Sequence, residues 1–170
     1  MDGSFVSCPA WLLNRLSNAG GSLSFHEYMD LVLNDPDHGI YGSGRLRIGR
    51  EGDFATSPSL GIEFAELLAI QIVQWFKQLE KGCFDIPLSL VEFGPGEGDL
   101  TFNLIESLEK IYPEILDKVQ FILVDINQAM IEKQKLKLSK KSKNKYQIVN
   151  SNLDIKKNES LIIKQVNQLI

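Results

Sequence analysis

Leu88-Ser89-Leu90-Val91-Glu92-Phe93-Gly94-Pro95-Gly96-Glu97-Gly98 is the stretch on which the fold turns. An apolar run of strand length ends in an acidic residue and enters a glycine-rich turn. A helical pattern follows at once, from Leu100 to Ile111. Strand, glycine loop and helix together are the form of a nucleotide or nucleoside cofactor site. Glycines let the backbone turn sharply and let a ligand approach it. The N–H groups at the start of the helix face that ligand. Glu92, at the strand's carboxyl end, can accept hydrogen bonds from sugar hydroxyls or an amino group.

The glycine spacing narrows the ligand. Glu92, Gly94, Gly96 and Gly98 form Glu-x-Gly-x-Gly-x-Gly. The dinucleotide fingerprint places its third glycine where this chain has Asp99. A P-loop requires Gly-Lys-Ser/Thr, and no lysine is present in the turn. Pro95 removes one backbone donor from a cradle that phosphates would need. A cofactor without phosphates fits better, and S-adenosylmethionine is one. A second apolar run, Val119 to Val124, ends in Asp125, which is placed for the ribose hydroxyls. Continuous apolar runs suit parallel strands buried on both faces. Tyr146 to Val149 reads as a short third strand.

The remaining pattern is helical. Pro9 to Leu16 reads as a short helix followed by Gly20-Gly21. Ser24 and Glu27 form a capping box that opens a second helix, which Asp35-Pro36 ends. Residues 35–57 hold five glycines and no sustained period, and are expected to be an ordered loop covering something. Ser57 as N-cap and Pro58 as first residue open one long helix over about residues 58–81. Its stripe of Leu60, Phe64, Leu67, Leu68, Ile72, Trp75, Phe76 and Leu79 is expected in the core, with Gly82 closing the helix. Asn127 is expected to cap a further helix to about Leu138. The lysines from Lys133 to Lys145 read as its solvated end. Asn158 to Ile170 looks amphipathic. The whole is an α/β protein.

Composition sets limits. Hydrophobic content of 44% and charged content of 24% suit a soluble globular protein. A formal net charge of −4 argues against general nucleic-acid binding. Cys8 and Cys83 lie far apart, as do His26 and His38, so no metal site is expected. No segment reads as a secretory or transit signal or as a membrane span, and the expected location is cytoplasmic.

Several stretches resemble the MidA / NDUFAF7 family (DUF185), proteins similar to S-adenosylmethionine-dependent methyltransferases. They are Ser24 to Met29, Pro36-Asp37-His38-Gly39-Ile40-Tyr41, Gly52-Asp53-Phe54-Ala55-Thr56-Ser57-Pro58, Phe64-Ala65-Glu66, and Val91 to Gly98. Asp125-Ile126-Asn127 stands for a usual Glu-x-Ser, and Gln134 keeps an expected glutamine. The likeness covers about residues 20–135 and is most specific at Gly52 to Pro58.

The resemblance implies the first part of a Rossmann-like methyltransferase fold, with about three parallel strands. Residues 1–86 would form an N-terminal helical region, and residues 87–170 half of an S-adenosylmethionine-binding domain. It implies methyl transfer to a protein arginine. Cofactor contacts would come from Glu92, Gly94, Pro95, Gly96, Gly98 and Asp125, with Gly52, Asp53, Thr56, Ser57 and Pro58 shaping the pocket. Catalytic residues are not assigned. Asp53 and Glu66 could serve an arginine acceptor, or be a turn residue and a solvated helix residue. The expected partners are a protein substrate, and a second copy or another chain covering an open sheet edge; neither nucleic acid nor membrane is expected. Two alternatives stay open: a non-catalytic fragment or interaction protein with a partial cofactor half-site, and an NAD-binding domain.

Overall fold

The two apolar runs do pair as parallel strands. In the structure, a computed structural model describing residues 7–49, 51–81, 88–141 and 145–151, β1 is Leu88–Phe93 and β2 is Val119–Asp125. Leu88 lies opposite Val119 and Phe93 opposite Val124. β3 (Tyr146–Asn150) joins the other side of β2, also in parallel, with Asp125 opposite Asn150. The sheet order is β1-β2-β3. β2 is central and covered on both faces, which is why it reads as a continuous apolar run. Phe121 and Leu123 point into the main core, and Ile122 and Val124 pack with Val149 on the opposite face.

Helices connect the strands as parallel pairing requires. α5 (Asp99–Ile111) follows β1, and the short α6 (Pro113–Leu116) starts at the proline that breaks its pattern. α7 (Gln128–Leu138) links β2 to β3. Leu104, Ile105 and Leu108 of α5 carry the core between the sheet and α4 (Glu63–Lys81).

The long helix is not continuous. α3 (Ser57–Leu60) stops at Gly61, whose extended backbone (φ 165°) breaks the helix before α4 begins. Its apolar stripe also turns differently from the expectation. Ile72 and Phe76 are buried, but Leu67 is 71% exposed and Trp75 51% exposed, and Leu60, Phe64 and Leu79 are exposed too. The buried face combines Ala65 and Ala69, both 0% exposed, with Ile72, Val73 and Phe76, in one cluster with Leu104, Ile105 and Leu108 of α5. Small side chains let two helices approach closely, which suits the alanines on this face.

Ahead of these lie α1 (Ala10–Asn18) and α2 (Phe25–Asn34). The capping box forms as read: the Glu27 N–H donates to Ser24 Oγ at 3.2 Å, and the Ser24 N–H to Glu27 Oε2 at 2.8 Å. Bonds to Ser24 lower the Glu27 pKa. Asp35 ends α2 and is buried. The Arg15 guanidinium donates to it at 3.2 Å, tying α1 to the end of α2. In the segment that follows, Leu46 is 2% exposed and a bridge joins Ile48 to Phe54. No helix among the described residues is long and apolar enough to cross a membrane. Gly82, Cys83 and the stretch from Asn158 to Ile170 lie outside the described residues.

Candidate functional site

The carboxyl ends of β1 and β2 lie side by side, and the glycine turn joins one to α5. Gly94, Gly96 and Gly98 have φ of 62°, 57° and 85°, the left-handed region where a side chain is strained. The Gly94 N–H donates to the Val124 carbonyl at 2.9 Å, which ties the start of the turn to the end of β2. Gly98 is the residue before α5, and its carbonyl accepts from the Phe102 N–H at 3.0 Å. A Cβ at Gly94 would meet no protein atom within 4 Å, so the space beside it is open. Pro95, within the turn, is buried.

Two carboxylates flank this turn in different environments. Glu92 is half-buried, and the Thr101 hydroxyl of α5 donates to its Oε2 at 2.5 Å. Burial raises the Glu92 pKa, the Thr101 bond opposes that shift, and the charge of Asp99 adds to it. Asp125 is buried, and both of its oxygens are engaged. The Asn127 N–H donates to Oδ1 at 3.0 Å, and the Gln134 amide Nε2 donates to Oδ2 at 2.8 Å. The same Nε2 also donates to the Gly96 carbonyl at 2.9 Å. A carboxylate offers about four acceptor positions, so both acids keep capacity for a ligand's hydroxyl or amino groups.

Ile48 packs against one side of the turn, and Gly44 against α7. Ile48 Cδ1 lies 3.0 Å from where a Gly96 Cβ would stand, and Ala129 Cβ lies 3.0 Å from a Gly44 Cβ. Lys133 of α7 donates to the Leu46 carbonyl at 2.7 Å and pairs with Glu97 at 3.1 Å. Lys137 pairs with Asp99 at 2.6 Å. Lys141 pairs with Glu106 and Glu109, and Lys145 with Asp117. The lysine-rich end of α7 is therefore not simply a solvated end; it fastens α7 to the turn, to α5 and to the loop. Spacing along one helix does not show carboxylates on another.

The stretch from Gly52 to Pro58 takes up other duties. Asp53 is exposed; its Oδ2 accepts from the Arg47 N–H at 2.9 Å, and its own N–H donates to the Arg47 carbonyl at 2.8 Å. That is the work of a turn residue. A Cβ on Gly52 would run into the Arg47 backbone. Thr56, not Ser57, is the N-cap of α3, and the Thr56 N–H donates to Ser59 Oγ at 2.9 Å. The Pro58 carbonyl accepts from Asn103 Nδ2 of α5 at 3.2 Å. Gly52, Asp53, Thr56 and Ser57 make no hydrogen bond to Glu92, the glycine turn or Asp125 among the described residues. Glu66 pairs with Lys110 at 3.6 Å.

Two side chains of this site are not evident from periodicity. Thr101 lies on the buried face of α5 and reaches Glu92 only once helix and strand are packed. Asn127 does not cap α7 with its side chain; its Nδ2 donates to Asn34 Oδ1 at 3.2 Å and so ties α7 to α2. Away from the turn, the fold brings Asp35, Asp37 and His38 together, with potential ligand atoms within 4.8 Å of one another. Asp35 acts there as a helix-end acceptor. Burial raises its pKa, but bonds from the N–H groups of Asp37 and His38, from the His38 ring and from Arg15 outweigh that and lower it. The His38 ring also stacks on Trp11 at 4.7 Å.

Comparison with known proteins agrees with this geometry. A family model for S-adenosyl-L-methionine-dependent methyltransferases matches residues 67–164. Protein arginine methyltransferase NDUFAF7, mitochondrial, from Bos taurus is 33% identical over 121 residues, 70% of this chain and 26% of that protein. The Drosophila melanogaster homolog is 39% identical over 90 residues, 53% of this chain and 20% of that protein. The chain thus spans about a quarter of the length of the curated relatives it matches. A solved structure of a COG1565 superfamily member from Burkholderia thailandensis, bound to S-adenosyl-homocysteine, superposes with a TM-score of 0.65. It is 26% identical, and the match covers 83% of this chain and 36% of that one. The expected cytoplasmic location is overturned, since the curated relatives carry mitochondrial names. The composition of one N-terminal stretch was too little to carry a compartment.

Proposed function

The chain belongs to this family of S-adenosyl-L-methionine-dependent methyltransferases, and we propose that it forms the cofactor-binding part of a protein arginine methyltransferase. The observation that carries the reading is the pair of acids, Glu92 and Asp125, closing two adjacent parallel strands beside a turn of three left-handed glycines. Open space at Gly94 suits close approach of a nucleoside, and Pro95 suits a ligand without phosphates. Asp125 takes the ribose hydroxyls, and Glu92 takes a hydroxyl or the amino group. Gly52, Asp53, Thr56, Ser57 and Pro58 shape the approach through the loop strapped to α7 and α5.

The cofactor supplies a methyl group on a sulfonium, which is the electrophile. The chain's own contribution is alignment and exclusion of water by the loop over the turn. An arginine acceptor must also shed a proton to a carboxylate. Asp53 and Glu66 already bond Arg47 and Lys110, so neither is assigned that role.

Transfer of labelled methyl from S-adenosylmethionine to proteins of a cell extract, followed by acid hydrolysis, tests the reading. Methylarginine is expected. Cofactor binding without any labelled arginine would refute the arginine assignment and favour a second reading. In that reading the chain is an interaction protein with a partial cofactor half-site. What favours it is exposed apolar surface at the sheet's edge, where Phe93 of β1 is 71% exposed, and on α4.

A further inference from the structure

Gln134 is the most deeply buried polar side chain near the site, at 0% exposure, and the geometry points to it as the positioning residue that sets Asp125 and the glycine turn for a ribose diol. This rests on the reading of Asp125 given above. The orientation of the amide is fixed by its neighbours. Its nitrogen faces two acceptors, Asp125 Oδ2 at 2.8 Å and the Gly96 carbonyl at 2.9 Å, so an oxygen in that place would meet only lone pairs. Its Oε1 is left with no partner among the described residues. A buried acceptor without a donor costs stability, and such a group calls for a reason.

The reason is what the nitrogen holds together. Gly96 is in the turn after β1, Asp125 ends β2, and Gln134 is two helical turns into α7. One amide therefore ties the middle of the turn to the Asp125 carboxylate, where the Gly94–Val124 bond holds only its start. With the Asn127 N–H on Oδ1 and Gln134 on Oδ2, one acceptor position on each Asp125 oxygen is filled by protein. One position on each remains, which is what two adjacent hydroxyls need. Holding the Gly96 carbonyl toward α7 also turns the Glu97 N–H of that trans peptide the opposite way. Gln134 does both without touching solvent, so it acts through Asp125 and the turn.

The test is a calorimetric comparison of two probes, S-adenosylhomocysteine and its 2′,3′-dideoxy analogue, on the wild type and on Gln134→Met. Methionine keeps the length and volume and removes the donors. The expected result is a loss of about tenfold or more for S-adenosylhomocysteine, the size of a charge-assisted hydrogen bond. The dideoxy analogue should lose much less. Equal losses for both probes would make Gln134 a merely structural residue and overturn the proposal, as would no loss for either. A wild type that binds both probes equally would also overturn it, while leaving cofactor binding intact. A wild type that binds neither would instead sink the underlying cofactor reading, and the proposal with it. Should Gln134→Met not fold, Asp125→Asn reports the same contact from its other end. It is expected to bind the two probes nearly alike, and full retention of the diol preference would overturn the proposal.

Discussion

Placing one methyl group at Gly94 separates backbone strain from ligand contact. Gly94 has φ 62°, and a Cβ there meets no protein atom within 4 Å. Gly94→Ala should therefore cost the folded chain only the left-handed penalty, about 1–2 kcal/mol. For a chain of this size that is a fall in Tm of about 2–8 °C. Gly20 offers a matched control: its φ is 78°, its Cβ also meets nothing, and it lies after α1, far along the chain from the turn. Gly20→Ala should show the same fall in Tm. The two should differ in binding. At Gly94 the methyl enters the space beside the ends of β1 and β2, so affinity for S-adenosylhomocysteine should fall more than about tenfold, equivalent to ~1.4 kcal/mol. Thermal melts and calorimetric titrations of the two variants give both quantities. Equal affinities for Gly94→Ala, Gly20→Ala and the wild type would refute the placement of the cofactor beside this turn.

Three further outcomes follow from the packing. Glu92 has a raised pKa, so the folded chain holds that proton more tightly than the unfolded chain, whose value is near 4.5. Stability from this group is full below that value and is lost as pH rises through the folded one. Glu92→Gln should therefore melt higher than the wild type at pH 7, with the gap closing toward acid pH, while binding S-adenosylhomocysteine more weakly; melts across pH check the sign. Leu108→Ala, at a position with 0% exposure between α4 and the sheet, should lose about 2–5 kcal/mol in urea unfolding. Lys133→Met should speed tryptic cutting after Arg45 and Arg47 by freeing the loop, and change global stability by no more than about 1 kcal/mol, as suits a partly exposed pair.

What could be read from the sequence was local. Both long strands came from continuous apolar runs, and the second helix from a Ser/Glu box three residues apart, because period and capping chemistry depend on near neighbours. The glycine turn was legible for the same reason; the left-handed backbone of its three glycines came from the structure. The break at Gly61 was hidden by apolar residues that keep helical spacing on both sides of it. The core face of α4 was legible in part: Ile72 and Phe76 are buried and Leu68 packs on the core, but Ala65 and Ala69 share that face while Leu67 and Trp75 lie outside it, because burial follows the face turned to the core and not side-chain size. The lysines of α7 looked solvated because their carboxylates, Glu97, Asp99, Glu106 and Glu109, come from a different helix and turn. The family resemblance singled out Gln134 but gave it no role; that needed the distances to Gly96 and Asp125.

The central claim is that the ends of β1 and β2 hold a nucleoside cofactor without phosphates. Titrating the chain with S-adenosylhomocysteine and, separately, with NAD in a calorimeter tests it most directly. Saturable heat at one S-adenosylhomocysteine per chain, with none from NAD, is the predicted result. Heat from NAD alone, or no heat from S-adenosylhomocysteine with a chain that still melts cooperatively, would contradict it.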